Sequence, residues 1–169
     1  MNCYVNNYNQ NKYGTYENKN FNLGVFMNEV PICNEYGFIE IQVIKNLGSE
    51  TAIGALLSIY VNQNENQIPI VTVPITQNPT IIRLPIANPL GTLVKGPEYY
   101  FTPYNLTIES EGYYRVVTQN IRLFPNITVK FLYNLNKIVP GSSNQEQITI
   151  IPPHPRDVIY WLNGWAIHK

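Results

Sequence analysis

The sequence predicts an all-β fold, an antiparallel Ig-like sandwich of about seven short strands with an extended arm at each end. Three observations lead there. Apolar positions in the middle of the chain alternate with period two, and β-branched residues and Tyr dominate the same stretch. Clusters of Gly, Pro and Asn interrupt the pattern at short intervals, as turns between strands do.

The first strand is read over residues 38–45, where Phe38, Glu40 and Gln42 alternate with Ile39, Ile41 and Val43. A Gly-Ser turn follows, then a strand over 54–61. Further strands are expected over 68–74, 81–84, 104–110, 113–123 and 128–135. Prolines at 69, 74, 79, 85, 89, 97 and 103 lack the ladder donor, so 68–103 is assigned to edges and loops. Composition divides the chain into three. Residues 1–34 form an arm rich in Asn and Tyr, with Phe21, Leu23, Val25 and Met27 in strict alternation. Residues 35–138 are the sandwich. Residues 139–169 begin with a linker, Pro140-Gly141-Ser142-Ser143-Asn144, and continue as an apolar tail carrying Ile148, Ile150, Val158, Tyr160, Trp161, Leu162 and Trp165.

At 169 residues the chain suits one domain with a real core. Only 13% of it is charged, against about 25% in ordinary domains, while 44% is hydrophobic and 12% aromatic. Eleven basic and eleven acidic residues cancel, which leaves no basic stripe for phosphates and argues against nucleic acid as a partner. Polarity comes mainly from Asn, Gln, Thr and Tyr. That suits contact between copies, and an AT-rich genome gives the same bias. The N-terminal residues are too polar for a signal peptide, and the apolar run over 53–61 is far short of the ~20 residues that span a bilayer. Synthesis in the cytoplasm, without general secretion and without a membrane partner, is the expectation.

Several signatures occur in one order. Gly37-Phe38-Ile39-Glu40-Ile41 leads to Ala52-Ile53-Gly54-Ala55-Leu56-Leu57, and a turn at Gln77-Asn78-Pro79-Thr80 precedes Ile81-Ile82-Arg83-Leu84-Pro85. Later come Tyr104-Asn105-Leu106-Thr107-Ile108, then Glu111-Gly112-Tyr113, and Ile121-Arg122-Leu123-Phe124-Pro125-Asn126-Ile127-Thr128. Residues 37–136 thereby resemble the carboxypeptidase regulatory-like, transthyretin-like β-sandwich domains, in the version found in spore proteins of anaerobic spore-forming bacteria. The family's Asp-x-x-Gly turn is replaced here by Gln77-Asn78-Pro79-Thr80. Such domains imply a fold and say little about function. Related pilin-type sandwiches join a Lys on the first strand to an Asn on the last. Val43 stands at the usual Lys position here, and the nearest analogues are Lys45, Asn134 and Glu109, with a solvated Lys the expected state.

No catalytic constellation is visible. A nucleophile needs an adjacent base, and His154 and His168 both lie in the C-terminal region, away from Cys3 and Cys33. Glu109 and Glu111 share period-two spacing, which a solvated strand end explains better than a glycosidase pair. No metal set or cofactor loop is expected. The leading expectation is therefore a non-enzymatic, self-assembling structural protein of a spore surface layer or fibrous appendage. Its partner would be another copy, engaged through exchange of the terminal arms. Cys3 and Cys33 are candidates for an intersubunit disulfide; an internal bridge, worth about 3–4 kcal/mol, is equally compatible with the sequence, and reduced thiols are the cytoplasmic default. The alternative is a carbohydrate- or peptidoglycan-binding module stacking sugars on Tyr99, Tyr100, Trp161 and Trp165.

Overall fold

The computed structural model describes residues 34–48, 50–141 and 146–159. Among them are twelve strands and one 3-10 turn, Asn46–Gly48. A four-stranded sheet centres on β1 (Tyr36–Lys45), flanked on one side by β10 (Thr128–Leu135) and on the other by β2 (Glu50–Thr51) and β5 (Thr80–Pro85). A five-stranded sheet has the order β11 (Glu146–Ile150), β9 (Arg115–Ile121), β8 (Tyr104–Glu109), β3 (Leu56–Gln63), β4 (Asn66–Pro74). A small third sheet joins β6 (Val94–Lys95), β7 (Tyr100–Phe101) and β12 (Val158–Ile159).

The alternation read from the sequence becomes the core. Ile39, Ile41 and Val43 of β1 are fully buried, as are Leu57, Ile59 and Val61 of β3 and Tyr104, Leu106 and Ile108 of β8. Each large side chain buried this way contributes about 1.5–3 kcal/mol. The intervening residues of β1, Glu40 and Gln42, face outward. Strand β8 departs from alternation because it lies at the centre of its sheet, with Asn105 and Thr107 buried on the second face too. The Asn105 side-chain oxygen accepts from the Asn120 amide at 3.2 Å, where Asn120 takes φ +64° beside an irregularity in the β8–β9 ladder.

The proline-rich region behaves as its missing donors require. Strand β4 is an edge, and its pairing with β3 is interrupted by a bulge at Ile70, beside Pro69. The turn at Gln77-Asn78-Pro79-Thr80 contains a cis Asn78–Pro79 bond, and the Asn78 amide group takes up both backbone groups of Val43. That side chain fills the gap in the β1 ladder between β5 and β2. Gly112 adopts φ +78° in the turn after β8. Gly91 has no room for a side chain, since a Cβ would sit 2.4 Å from Thr102 Cγ2.

The antiparallel expectation needs correcting at two pairings. Strand β10 runs parallel to β1, and β11 runs parallel to β9. Both follow from connections that cross from one sheet to the other instead of turning back as hairpins. The strand expected over 113–123 also begins later, at Arg115, because Tyr113 and Tyr114 are drawn to the other sheet by backbone contacts with Lys137 and Asn136.

Strand directions define two poles. Strands β1, β8 and β10 run away from the pole where the chain enters at Asn34, while β3, β9 and β11 run toward it. The entering chain is fixed there by the bond from the Ile86 amide to the Glu35 carbonyl. Strand β12 pairs with β6 at this same pole. Both terminal segments outside the described residues thus join the sandwich at one end.

Candidate functional site

Three features could carry function: an open lateral side, a cleft at the far pole, and a clasp around Arg122.

The open side arises from the stacking of the two sheets. The Thr118 hydroxyl and the Tyr133 phenol meet at 2.9 Å across the core, which places β10 over β9. Edge strands β10 and β11 therefore share one side of the sandwich, and β4 and β5 occupy the other. Pro69 and Pro74 interrupt β4, and Pro79 and Pro85 bracket β5. Neither β10 nor β11 contains a proline. Their charges are already paired, Lys130 with Glu40 at 3.1 Å and Glu146 with Arg115 at 3.0 Å. On β11 the ladder parity is set by the Ile151 amide, which donates to the Gln119 carbonyl. By alternation the amides and carbonyls of Ile148 and Ile150 point toward the open edge. Their side chains are 56% and 60% exposed, and Leu132 on β10 is 65% exposed. Among the described residues no further strand pairs with the outer edge of β10 or β11, and such an edge is a template for another strand.

The far-pole cleft has a volume of about 430 Å³. Its apolar wall comes from Leu56, Tyr113 and Ile138, and its polar wall from Glu109, Glu111, Arg115 and Glu146. Arg115 stands between two carboxylates, with Nε 2.9 Å from Glu109 and an Nη 3.0 Å from Glu146. The Nε contact is out of line for a hydrogen bond, so it is ionic. With side chains 40% to 51% exposed, each pair contributes about 0.2–1 kcal/mol. The Lys45 ammonium lies 4.9 Å from the Tyr113 ring centroid.

The clasp is at the chain-exit pole. Arg122 lies over three rings, with its guanidinium carbon 4.2 Å from Phe101, 5.1 Å from Tyr99 and 5.4 Å from Phe124. Its Nη meets Asp157 at 3.2 Å, and the Asp157 side chain is only 4% exposed. Asp157 also accepts from the His154 amide. The cage explains why position 96 is glycine, since a Cβ there would come within 2.7 Å of the Arg122 Nη2 atom.

Of the residues singled out from sequence, Ile148 and Ile150 lie on β11 and Val158 on β12, both strands docked within the same chain. Cys3, Phe21, Leu23, Val25, Met27, Cys33, Tyr160, Trp161, Leu162 and Trp165 lie outside the described residues. Tyr99 is no sugar platform: it is 5% exposed, lies beneath Arg122 and donates its hydroxyl to the Leu123 carbonyl. Tyr100 is half-buried on β7. The Lys45–Asn134 juxtaposition fails on register. Lys45 is paired with Leu135 and Asn134 with Ile44, so Lys45 and Asn134 face opposite ways across the parallel ladder. Asn134 accepts from the Leu47 amide, and Glu109 is occupied by Arg115.

Arg115, Arg122, Glu146 and Asp157 escaped the sequence reading. Their one available signal was charge in a chain that has little of it. No three His, Cys, Asp or Glu side chains among the described residues are grouped to hold a metal. Nor, among those residues, is any helix long and apolar enough to cross a membrane. No family model, curated protein or solved structure matches the chain.

Proposed function

We propose that this chain is a non-enzymatic structural subunit that assembles with copies of itself by exchange of terminal strands. The observation that carries the reading is the asymmetry of the sandwich. One side is blunted by prolines at both edges; the other offers two edges with neither proline, bulge nor unpaired charge. An arm with Phe21, Leu23, Val25 and Met27 in alternation is the kind of segment such an edge accepts. When the arm belongs to the next copy, the contact is heterologous and propagates into a filament. The resemblance of residues 37–136 to transthyretin-like domains of spore proteins supports placing the assembly on a bacterial spore, as a surface layer or fibrous appendage.

A glycan-binding module is the second reading. The cleft favours it, with carboxylates beside the Tyr113 ring. Against it, Arg115 already engages two of those carboxylates, and Tyr99 is buried. Electron microscopy of the purified chain, with sedimentation under non-reducing conditions, separates the readings. Filaments or large particles without added ligand are expected. A strictly monomeric protein that binds peptidoglycan fragments would overturn the proposal.

A further inference from the structure

We propose that the far pole is a self-complementary surface, at which Leu47 of one copy enters the cleft of a second and the second returns the same contact. This goes beyond strand exchange, because a two-fold contact closes on itself where an exchanged strand propagates.

The starting point is a backbone outlier. Asn46, Leu47 and Gly48 follow one another at φ +48°, +55° and +94°. Gly accepts the left-handed region and Asn tolerates it, but a Leu there crowds its Cβ against the following carbonyl. Packing against the core would be the ordinary compensation. Leu47 has none: at 87% it is the most exposed large hydrophobic side chain among the described residues. Yet the loop is built into the fold. The Leu47 amide donates to Asn134 Oδ1 at 3.2 Å, and the Asn46 side chain donates to the Tyr113 phenol at 3.4 Å. A strained residue pinned by its neighbours, with an apolar side chain in water, points to a contact outside the chain.

The cleft is the matching hole. Its apolar wall of Leu56, Tyr113 and Ile138 stands beside that loop, since Tyr113 both lines the cleft and bonds Asn46. Leu47 does not line the cleft of its own molecule. Knob and hole thus lie side by side on one pole, and a two-fold axis between copies sets each knob over the other's hole. Ile53 and Val139, 58% and 62% exposed, adjoin the lining residues Gly54 and Ile138 in the chain. These two with Leu47, Leu56 and Ile138 expose on the order of 500 Å², the size of the largest apolar patches on monomers, which are often functional. A two-fold contact doubles this to about 1,000 Å², where specific interfaces begin.

Charge selects the same partner. Glu111 on the cleft rim and Lys137, bridged to Tyr113 beside it, form no ion pair with another described residue. The axis pairs Glu111 of each copy with Lys137 of the other. Any occupant must bring an apolar knob and both charges, and a second copy carries all three.

The test uses the full chain in reductant, carrying Ile148→Pro so that the open edge loses a donor. Sedimentation equilibrium is expected to show a reversible dimer. Leu47→Gly should weaken it at least tenfold while the urea midpoint stays the same or rises, because glycine relieves the left-handed strain. A merely structural Leu47 would lower the midpoint instead. Glu111→Lys and Lys137→Glu should each weaken the dimer at low salt, and mixing the two variants should restore it, since both pairs between copies are then attractive again. Where larger species persist, the same effects are read from the weight-average mass. A chain monomeric up to about 1 mM, a dimer untouched by Leu47→Gly, or no rescue on mixing would overturn the contact. So would a monomer that cosediments with phosphatidylcholine vesicles through Leu47. A monomeric Ile148→Pro chain whose parent forms filaments would sink this contact alone; a closed dimer from a parent that never forms filaments would support it and sink strand exchange.

Discussion

The Arg122 guanidinium shows how one charge can hold a terminal segment. Its faces are covered by Phe101, Tyr99 and Phe124, and one edge meets a nearly buried carboxylate. Cation–π attraction grows when water is excluded, to about 2 kcal/mol or more. Removing one partner of a buried pair costs about 3–5 kcal/mol, because the other is left unpaired. Arg122 retains some exposure, so Arg122→Ala is expected to cost about 2–4 kcal/mol in urea denaturation. It should also speed proteolytic cleavage after residue 151, where the clasped segment begins. Tyr104 and Tyr133 give a pH prediction. Burial pushes both phenols up to about 12, opposed by hydrogen bonds from Asn88 and Thr118 respectively. An unfolded Tyr ionises near 10. Stability from keeping these phenols neutral is therefore fully present below pH ~10 and lost as pH rises through about 12. Tyrosinate absorbance should show Tyr104 and Tyr133 among the late-ionising residues, with unfolding accompanying their titration. Two phenols titrating normally near pH ~10 in a folded protein would refute this.

Strand β11 is the element on which the assembly proposal turns. Its inward amides serve β9, and its outward amides at Ile148 and Ile150 face the open edge. Ile148→Pro removes one outward donor without deleting a bond to β9. The expected cost in stability is small, about 1 kcal/mol or less, because an edge strand tolerates proline on its open side. Filament length in electron micrographs should nevertheless fall sharply. Loss of stability matching loss of assembly would mean that β11 matters only as part of the fold. Strand β4 shows the opposite design, with Pro69, Pro74 and a bulge, which makes it a poor acceptor.

For the molecule as a whole, the consequence is direction. Both terminal segments join at one pole, the cleft lies at the other, and one of two sides is open. Deleting residues 1–33 should leave the far-ultraviolet circular dichroism of the sandwich unchanged, since β1 begins at Tyr36 and the buried core is assembled by the strands that follow. Assembly should fail. Filaments from the truncated chain would exclude the N-terminal arm as connector and leave residues 160–169 as the candidate. About thirty residues separate Cys3 from Cys33, which allows a span of at most about 100 Å, and Cys33 directly precedes the described sandwich in sequence. Non-reducing electrophoresis of assembled protein should give a ladder that collapses with reductant; a single monomer band would end the disulfide proposal.

Local pattern determined much of this protein. The period-two alternation of Phe38 to Lys45 identified β1 and its buried face, and the missing donors of Pro69 and Pro74 put β4 at an edge, because each is a property of a few consecutive residues. Gly112 likewise announced its turn. Tertiary structure alone decided the rest. The parallel register of β1 with β10 set Lys45 and Asn134 on opposite faces. The return of the chain from residue 146 made β11 an edge, and burial under Arg122 removed Tyr99 from the surface. The far-pole cleft joins Leu56, Glu109, Arg115, Ile138 and Glu146, drawn from distant parts of the chain. Such sites depend on which strands become neighbours. Neighbourhood is set by the packing of two whole sheets, and no short window of sequence contains it.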